Sequence, residues 1–146
     1  YLKDLIIAPV TFNLKESKLF DQYFERILIS KGTFLVKEGE IERYSYFVFD
    51  GILRCWLLNH KGEEQILWFC KEGTFSMSNI SFTLQTKSAF NVQTIVDSVI
   101  YRIDKKRVDE LYTAIPKVKT VFEDLNAILL SKLLKRNIDL IKYSPE

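Results

Sequence analysis

The chain carries one histidine, two cysteines, one methionine and three prolines in 146 residues. A single histidine, His60, argues against a small metal-dependent β-barrel enzyme, whose site gathers two or more histidines and a carboxylate. His60 lies in the polar run Asn59-His60-Lys61-Gly62 and reads as an exposed turn residue, not a haem or metal ligand. Two cysteines fall short of the four ligands of an iron–sulfur cluster. There is no Gly-rich phosphate loop and no recognisable nucleophile–base pair, so catalysis is not expected. No apolar run approaches the length of a membrane span. The net charge of +2 is too small to argue by itself for nucleic acid or a membrane surface. No secretory signal is evident, so Cys55 and Cys70 are expected to be reduced core thiols in a cytoplasmic protein.

What is present favours a β-rich core. The aromatic load is 11 Phe, 7 Tyr and 2 Trp, residue types that fit a pleated, half-buried surface. At this length one domain is expected, burying roughly 70% of its unfolded surface. All five glycines, Gly32, Gly39, Gly51, Gly62 and Gly73, fall in one stretch. Between them run Phe34–Val36, Tyr46–Phe49, Ile52–Leu58 and Gln65–Phe69. Short aromatic and β-branched runs broken by turn glycines predict an antiparallel sandwich or barrel. Leu53, Cys55 and Leu57 alternate with Ile52, Arg54 and Trp56, so Arg54 points outward or into a polar cavity.

The flanks read as helices. Leu2, Leu5, Ile6 and Ile7 have helical spacing up to Pro9. Asn13 and Glu16 form a capping box, and the helix it opens presents Leu19, Phe20, Tyr23, Phe24 and Ile27 to the sheet. Ser76–Thr83 is rich in hydroxyl residues and has no clear period; alternation returns at Ser88–Gln93, and Val99, Tyr101 and Ile103 make a last strand. Asp104 caps a helix whose Val108, Leu111, Tyr112 and Ile115 follow i, i+3, i+4, i+7. Pro116 ends it and opens another. Residues 117–142 hold no Gly or Pro, and 26 residues make a helix of about 39 Å. Val118, Phe122, Leu125, Leu129, Leu133 and Leu140 form one stripe, expected to pack on the sheet. Leu130, Leu134, Ile138 and Ile141 form a second stripe that needs a further partner.

This order resembles the effector-binding half of the cyclic-AMP receptor protein and fumarate-nitrate regulator (Crp/Fnr) family of bacterial transcription factors. The resemblance rests on Lys31–Glu40, Tyr46–Arg54, Gly62–Leu67 and Glu72–Phe75. It implies a mainly β fold with flanking helices: a double-stranded β-helix, or jelly-roll β-roll, over residues 1–116, then a long dimerisation helix and hinge over 117–146. It also implies a helix-turn-helix domain following that helix, which is not in this sequence, so DNA would be read only there.

In cyclic-nucleotide-binding members a loop after the strand matching Gly73–Phe75 supplies a glutamate to the ribose and an arginine to the phosphate. The arginine makes a bidentate charge-assisted bond that few other side chains reproduce. Here the glutamate position falls near Met77 or Ser78 and the arginine position at Ser88, followed by Ala89; both anchors are missing. The family's base contacts fall near Val121 and Phe122. The resemblance therefore implies a sensing domain with a degenerate phosphate cassette and an unknown small-molecule effector.

The candidate pocket residues are Arg54, Met77, Ser78, Asn79, Ser81, Lys87, Ser88 and Ala89. Lys87 either replaces the arginine as a point charge or is a solvated loop-tip lysine. Ser76, Ser78, Asn79, Ser81 and Ser88 either bind a small polar ligand or satisfy the loop's own backbone. Arg54 substitutes for the missing cation if its guanidinium is buried near Ser88. Lys132, Lys135 and Arg136 either touch DNA or form an ordinary charged helix face. Leu130, Leu134, Ile138 and Ile141 predict a homodimer. No cofactor is expected. A dimerising interaction domain without a ligand is the alternative.

Overall fold

Asn13 starts the first long element as its capping box requires. Its side chain accepts from Glu16 N at 2.8 Å, and Glu16 returns a bond from Asn13 N at 3.1 Å. The computed structural model describes residues 1–7, 10–74 and 79–143, without the side chains of Asn79, Leu129, Asn137, Ile141 and Tyr143. Met77 and Ser78 lie outside the described residues. The elements before the sheet are α1 (Leu2–Ile6) and α2 (Leu14–Gln22).

The sequence places Ile27 on the helix opened by Asn13, and the structure corrects this. Helix α2 stops at Gln22, and Ile27 lies in β1 (Glu25–Ile29), paired with Ile100 of β7 (Ser98–Asp104). All five β1 residues find antiparallel partners on β7. A strand that satisfies its backbone in a sheet overrides local helical spacing.

The remaining strands are β2 (Phe34–Val36), β3 (Tyr44–Asp50), β4 (Leu53–Leu58), β5 (Glu64–Cys70) and β6 (Asn91–Thr94). They form two antiparallel sheets, ordered β1-β7-β3 and β2-β6-β4-β5. The fold is mainly β with flanking helices, as expected. Gly51 turns β3 into β4 at φ +126°, a conformation that L side chains rarely adopt. A Cβ there would lie 2.9 Å from the Cα of Ser98, so this glycine also permits close passage of the β7 backbone.

Two apolar clusters result. The interior of the roll holds Val36, Val48, Leu53, Cys55, Cys70 and Val92. Both cysteines are buried, and they form no disulfide among the described residues; the adjacent Cys70 thiol and burial push the Cys55 thiol far above its usual range. The second cluster joins Ile6, Phe20, Phe24, Phe47 and Ile103 to Val108, Leu111 and Ile115 of α4 (Lys105–Ala114) and to Val118 of α5 (Lys117–Tyr143). Asp104 caps α4 by accepting from Arg107 N at 2.8 Å.

Helix α5 departs from expectation in its packing. Val118 is fully buried, and Val121 and Phe122 pack on the second cluster. Beyond them the first stripe leaves the sheet: Leu125 and Leu140 are exposed. The roll covers only the N-terminal turns, because 27 residues make a rod of about 40 Å. Leu130, Leu134 and Ile138 stand 50%, 61% and 49% exposed. Among the described residues no helix is long and apolar enough to cross a membrane.

Candidate effector cavity

The segment entering β6 is tied down by its backbone. Gly39 N–H donates to the Ser88 carbonyl at 2.8 Å, and Ser88 N–H donates to the Glu40 carbonyl at 2.7 Å. Ile41 and Lys87 form the accompanying antiparallel bridge. Opposite lies α3 (Asn79–Leu84), a helix that the aperiodic hydroxyl-rich sequence does not signal. Its Ser81 hydroxyl accepts from Glu42 N at 2.9 Å and donates to the Thr86 carbonyl at 2.6 Å. Gln85 follows in the left-handed region, φ 53°, its amide nitrogen donating to the carbonyls of Phe82 at 2.6 Å and Glu42 at 3.3 Å.

Between α3, residues 87–90 and α5 lies a cavity of about 420 Å³. Its walls are mostly apolar: Trp68, Ile80, Leu84, Phe90, Leu130 and Leu133. Trp68 and Phe90 meet edge to face, with centroids 5.0 Å apart. The polar lining is Ser81, Thr83, Lys87, Ser88 and Asn126, with Ala89 beside them. A second cleft of about 270 Å³ shares Thr83 and Asn126 and runs along Tyr112, Phe122 and Glu123. Burial there, with Glu123 and Asp109 nearby, pushes the Tyr112 hydroxyl up to about 12.

Ser81, Lys87, Ser88 and Ala89 therefore come together. The two serine hydroxyls are spent on local backbone, since Ser88 Oγ donates to the Phe90 carbonyl at 2.7 Å. Lys87 is exposed, and among the described residues it forms no ion pair. Asn79 begins α3, but its side chain lies outside the described residues, as do Met77 and Ser78. Leu130, assigned from its spacing to the dimer stripe, also lines the cavity.

Arg54 is not brought to this cavity. It pairs with Gln93 across β4 and β6, and Gln93 Oε1 accepts from its Nε at 3.2 Å and its Nη2 at 2.9 Å. Its Nη1 bonds Glu64 at 2.9 Å, and the guanidinium lies 4.6 Å from the Trp56 ring centroid. These partners replace the anion considered for it from the sequence.

Glu42 is the residue that sequence reasoning missed. It stands among charged neighbours before a strand and carries no spacing signal, yet its exposure is 1%. Its Oε1 accepts from the Tyr46 hydroxyl at 2.8 Å and from Tyr44 N at 3.1 Å. Among the described residues its Oε2 is buried without a partner. Burial pushes the carboxyl up to about 7, and the bonds from Tyr46 and from the Tyr44 and Arg43 backbone only partly oppose this.

With this geometry in place, comparison with known proteins decides the family. The family model of the cyclic nucleotide-binding domain matches residues 26–114, more than half of the 146 residues. The chain belongs to the cyclic nucleotide-binding domain family. No curated protein sequence matches this cyclic nucleotide-binding domain. Among solved structures it is similar to the Thermus thermophilus catabolite activator protein, with TM-score 0.74 and 20% identity, over 91% of this chain and 61% of that one. The c-di-GMP responsive global regulator CLP of Xanthomonas campestris gives 0.74 at 16% identity, over 91% and 66%. The sensor domain of the Pseudomonas aeruginosa transcriptional regulator DNR gives 0.68 at 19%, over 99% and 93%. This cyclic nucleotide-binding domain thus spans under two thirds of the first two proteins and nearly all of the isolated sensor domain.

Proposed function

We propose that this domain is the effector-sensing and dimerising region of a bacterial Crp/Fnr-type transcription regulator, and that its effector is not a cyclic nucleotide. The observation carrying the second half is the cavity wall. Where the resemblance puts a phosphate-binding arginine, Ser88 is buried with its hydroxyl committed to Phe90. Among the described residues the one cation lining the cavity is the exposed Lys87, a point charge without the planar fork that grips a phosphate. Six apolar side chains dominate the rest, which suits a small, largely apolar effector. On this reading the domain binds and does no chemistry, and DNA contact belongs to a helix-turn-helix domain beyond residues 117–146. The exposed stripe Leu130, Leu134, Ile138 supports dimerisation through α5.

Calorimetric titration with cyclic AMP and cyclic GMP tests the reading. Loss of one charged partner at a buried site costs about 1.5–3 kcal/mol, roughly tenfold or more in affinity. No saturable heat is expected at micromolar nucleotide. A dissociation constant in the low micromolar range for either nucleotide overturns it.

A further inference from the structure

The connection from β2 to β3 is fastened to α3 by two bonds from one residue. Glu42 gives its backbone N–H to Ser81 Oγ at 2.9 Å and receives the Gln85 amide on its carbonyl at 3.3 Å. The same residue buries a carboxyl whose Oε2 meets no partner among the described residues. Gln85, at the end of α3, holds a left-handed backbone conformation that costs a non-glycine residue free energy unless its surroundings hold it. Side chain and strap therefore belong to one device, and its weak point is the unpaired oxygen.

We propose that Glu42 is a proton-operated latch on α3: the neutral carboxyl keeps the Ser81–Gln85 strap fastened over the cavity, and loss of its proton releases it. A neutral carboxyl places its proton on Oε2 and leaves Oε1 to accept from Tyr46 and Tyr44. An ionised one leaves a buried charge that the Tyr46 hydroxyl and the backbone N–H groups of Tyr44 and Arg43 only partly oppose, with Oε2 unpartnered among the described residues. Outward movement of residues 41–43 exposes that oxygen to water, and such movement breaks the bonds from Glu42 to Ser81 and Gln85.

Among the described residues the surrounding cations supply Glu42 no ion pair. Tyr44 and Tyr46 face Glu42 from β3, and Cys55 faces it from β4. Arg102 of β7 stacks 4.0 Å from the Tyr44 ring centroid and is paired with Glu25. Glu40 and Arg43 flank Glu42 in its own segment, and Lys87 lines the same outer groove. Among the described residues none of these three cations forms an ion pair with Glu42. Glu40 adds a like charge that opposes ionisation, and burial opposes it most, which raises the carboxyl to about 7.

The sign follows from proton binding. A latched carboxyl titrating near 7 keeps its proton where a released one, near the ordinary 4.5, has lost it. The strap is fully fastened below the ordinary value and loosens as pH rises to about 7, after which no further change occurs. The latch involves no contact with an effector, and its failure would leave the proposed function untouched.

Hydrogen exchange of the backbone amides of residues 81–86, corrected for intrinsic rates, reads the latch directly. In the wild type, protection is expected to fall roughly ten- to a hundredfold between about pH 5 and pH 7, then level off. Glu42→Gln mimics the neutral carboxyl and is expected to remove that slope. A flat wild-type profile, or an unchanged slope in Glu42→Gln, overturns the proposal. If Glu42→Gln does not fold, carboxyl ¹³C titration of the wild type decides alone. A Glu42 midpoint near 7 supports the latch, and one in the ordinary carboxylate range overturns it.

Discussion

Gln93 holds Arg54 on the outer face of the second sheet, its single Oε1 accepting from both Nε at 3.2 Å and Nη2 at 2.9 Å. The Trp56 indole N–H donates to the same oxygen at 3.1 Å, so one glutamine joins β6 to two side chains of β4. The guanidinium also lies over the Trp56 ring, adding a cation–π contact.

Arg54→Ala is therefore expected to act on stability. Loss of the charged bonds to Gln93 and of the contact with Trp56 should cost about 1–2 kcal/mol. The Glu64 pair adds little, since Glu64 is half exposed. Urea unfolding checks this through the transition midpoint. An unchanged midpoint would show that the cluster contributes no net stability.

Gly51→Ala should be more damaging. The new Cβ would sit 2.5 Å from Ser98 Cβ and 2.9 Å from Ser98 Cα, and the φ of +126° is itself unfavourable for alanine. Steric overlap and backbone strain together are expected to cost about 2–4 kcal/mol. Thermal unfolding measures it, and a loss below 1 kcal/mol would mean that β7 moves aside freely.

Glu42 makes stability depend on pH. Its folded value of about 7 lies above the ordinary 4.5, so its neutral form supports the fold fully below 4.5. That support is lost as pH rises to 7, by at most about 3 kcal/mol. Glu42→Gln should flatten this part of the curve and unfold at higher urea than the wild type at pH 8. Equal midpoints at pH 8 would contradict the assigned environment.

Assembly turns on α5. Leu134 is 61% exposed midway between Leu130 and Ile138, and burying such a side chain contributes roughly 1.5–3 kcal/mol. A parallel helix pair about a two-fold axis is the simplest cover for that stripe. Sedimentation equilibrium should find a wild-type dimer at tens of micromolar and weaken it at least tenfold in Leu134→Glu. A wild-type monomer, or a dimer indifferent to the glutamate, rejects the interface.

Much of the architecture was legible in local chemistry. Turn glycines between aromatic runs announced the roll, Asn13 and Asp104 announced their helices, and the break-free run after Pro116 announced α5. Of the candidate pocket residues, Ser81 from the hydroxyl-rich loop, Ser88 and Ala89 from the resemblance, and Lys87 beside them line one cavity. The apolar side of that cavity was not legible, because Trp68 and Phe90 sit in strand runs and Leu133 in a helix stripe, and no local pattern joins the three.

The amino-acid sequence by itself determined those features that depend on neighbours along the chain: turn positions, alternation, caps and the two stripes of α5. Tertiary structure decided the rest, and the reason is distance along the chain. Ile27 becomes a strand residue because β7 is there to pair with it. Arg54 turns to Gln93 and Glu42 to Ser81, each across 39 residues. No local pattern encodes a partner that far away. Whether a charged side chain stays in water, finds an amide or is left with a bare oxygen in the core is settled only when the two sheets close.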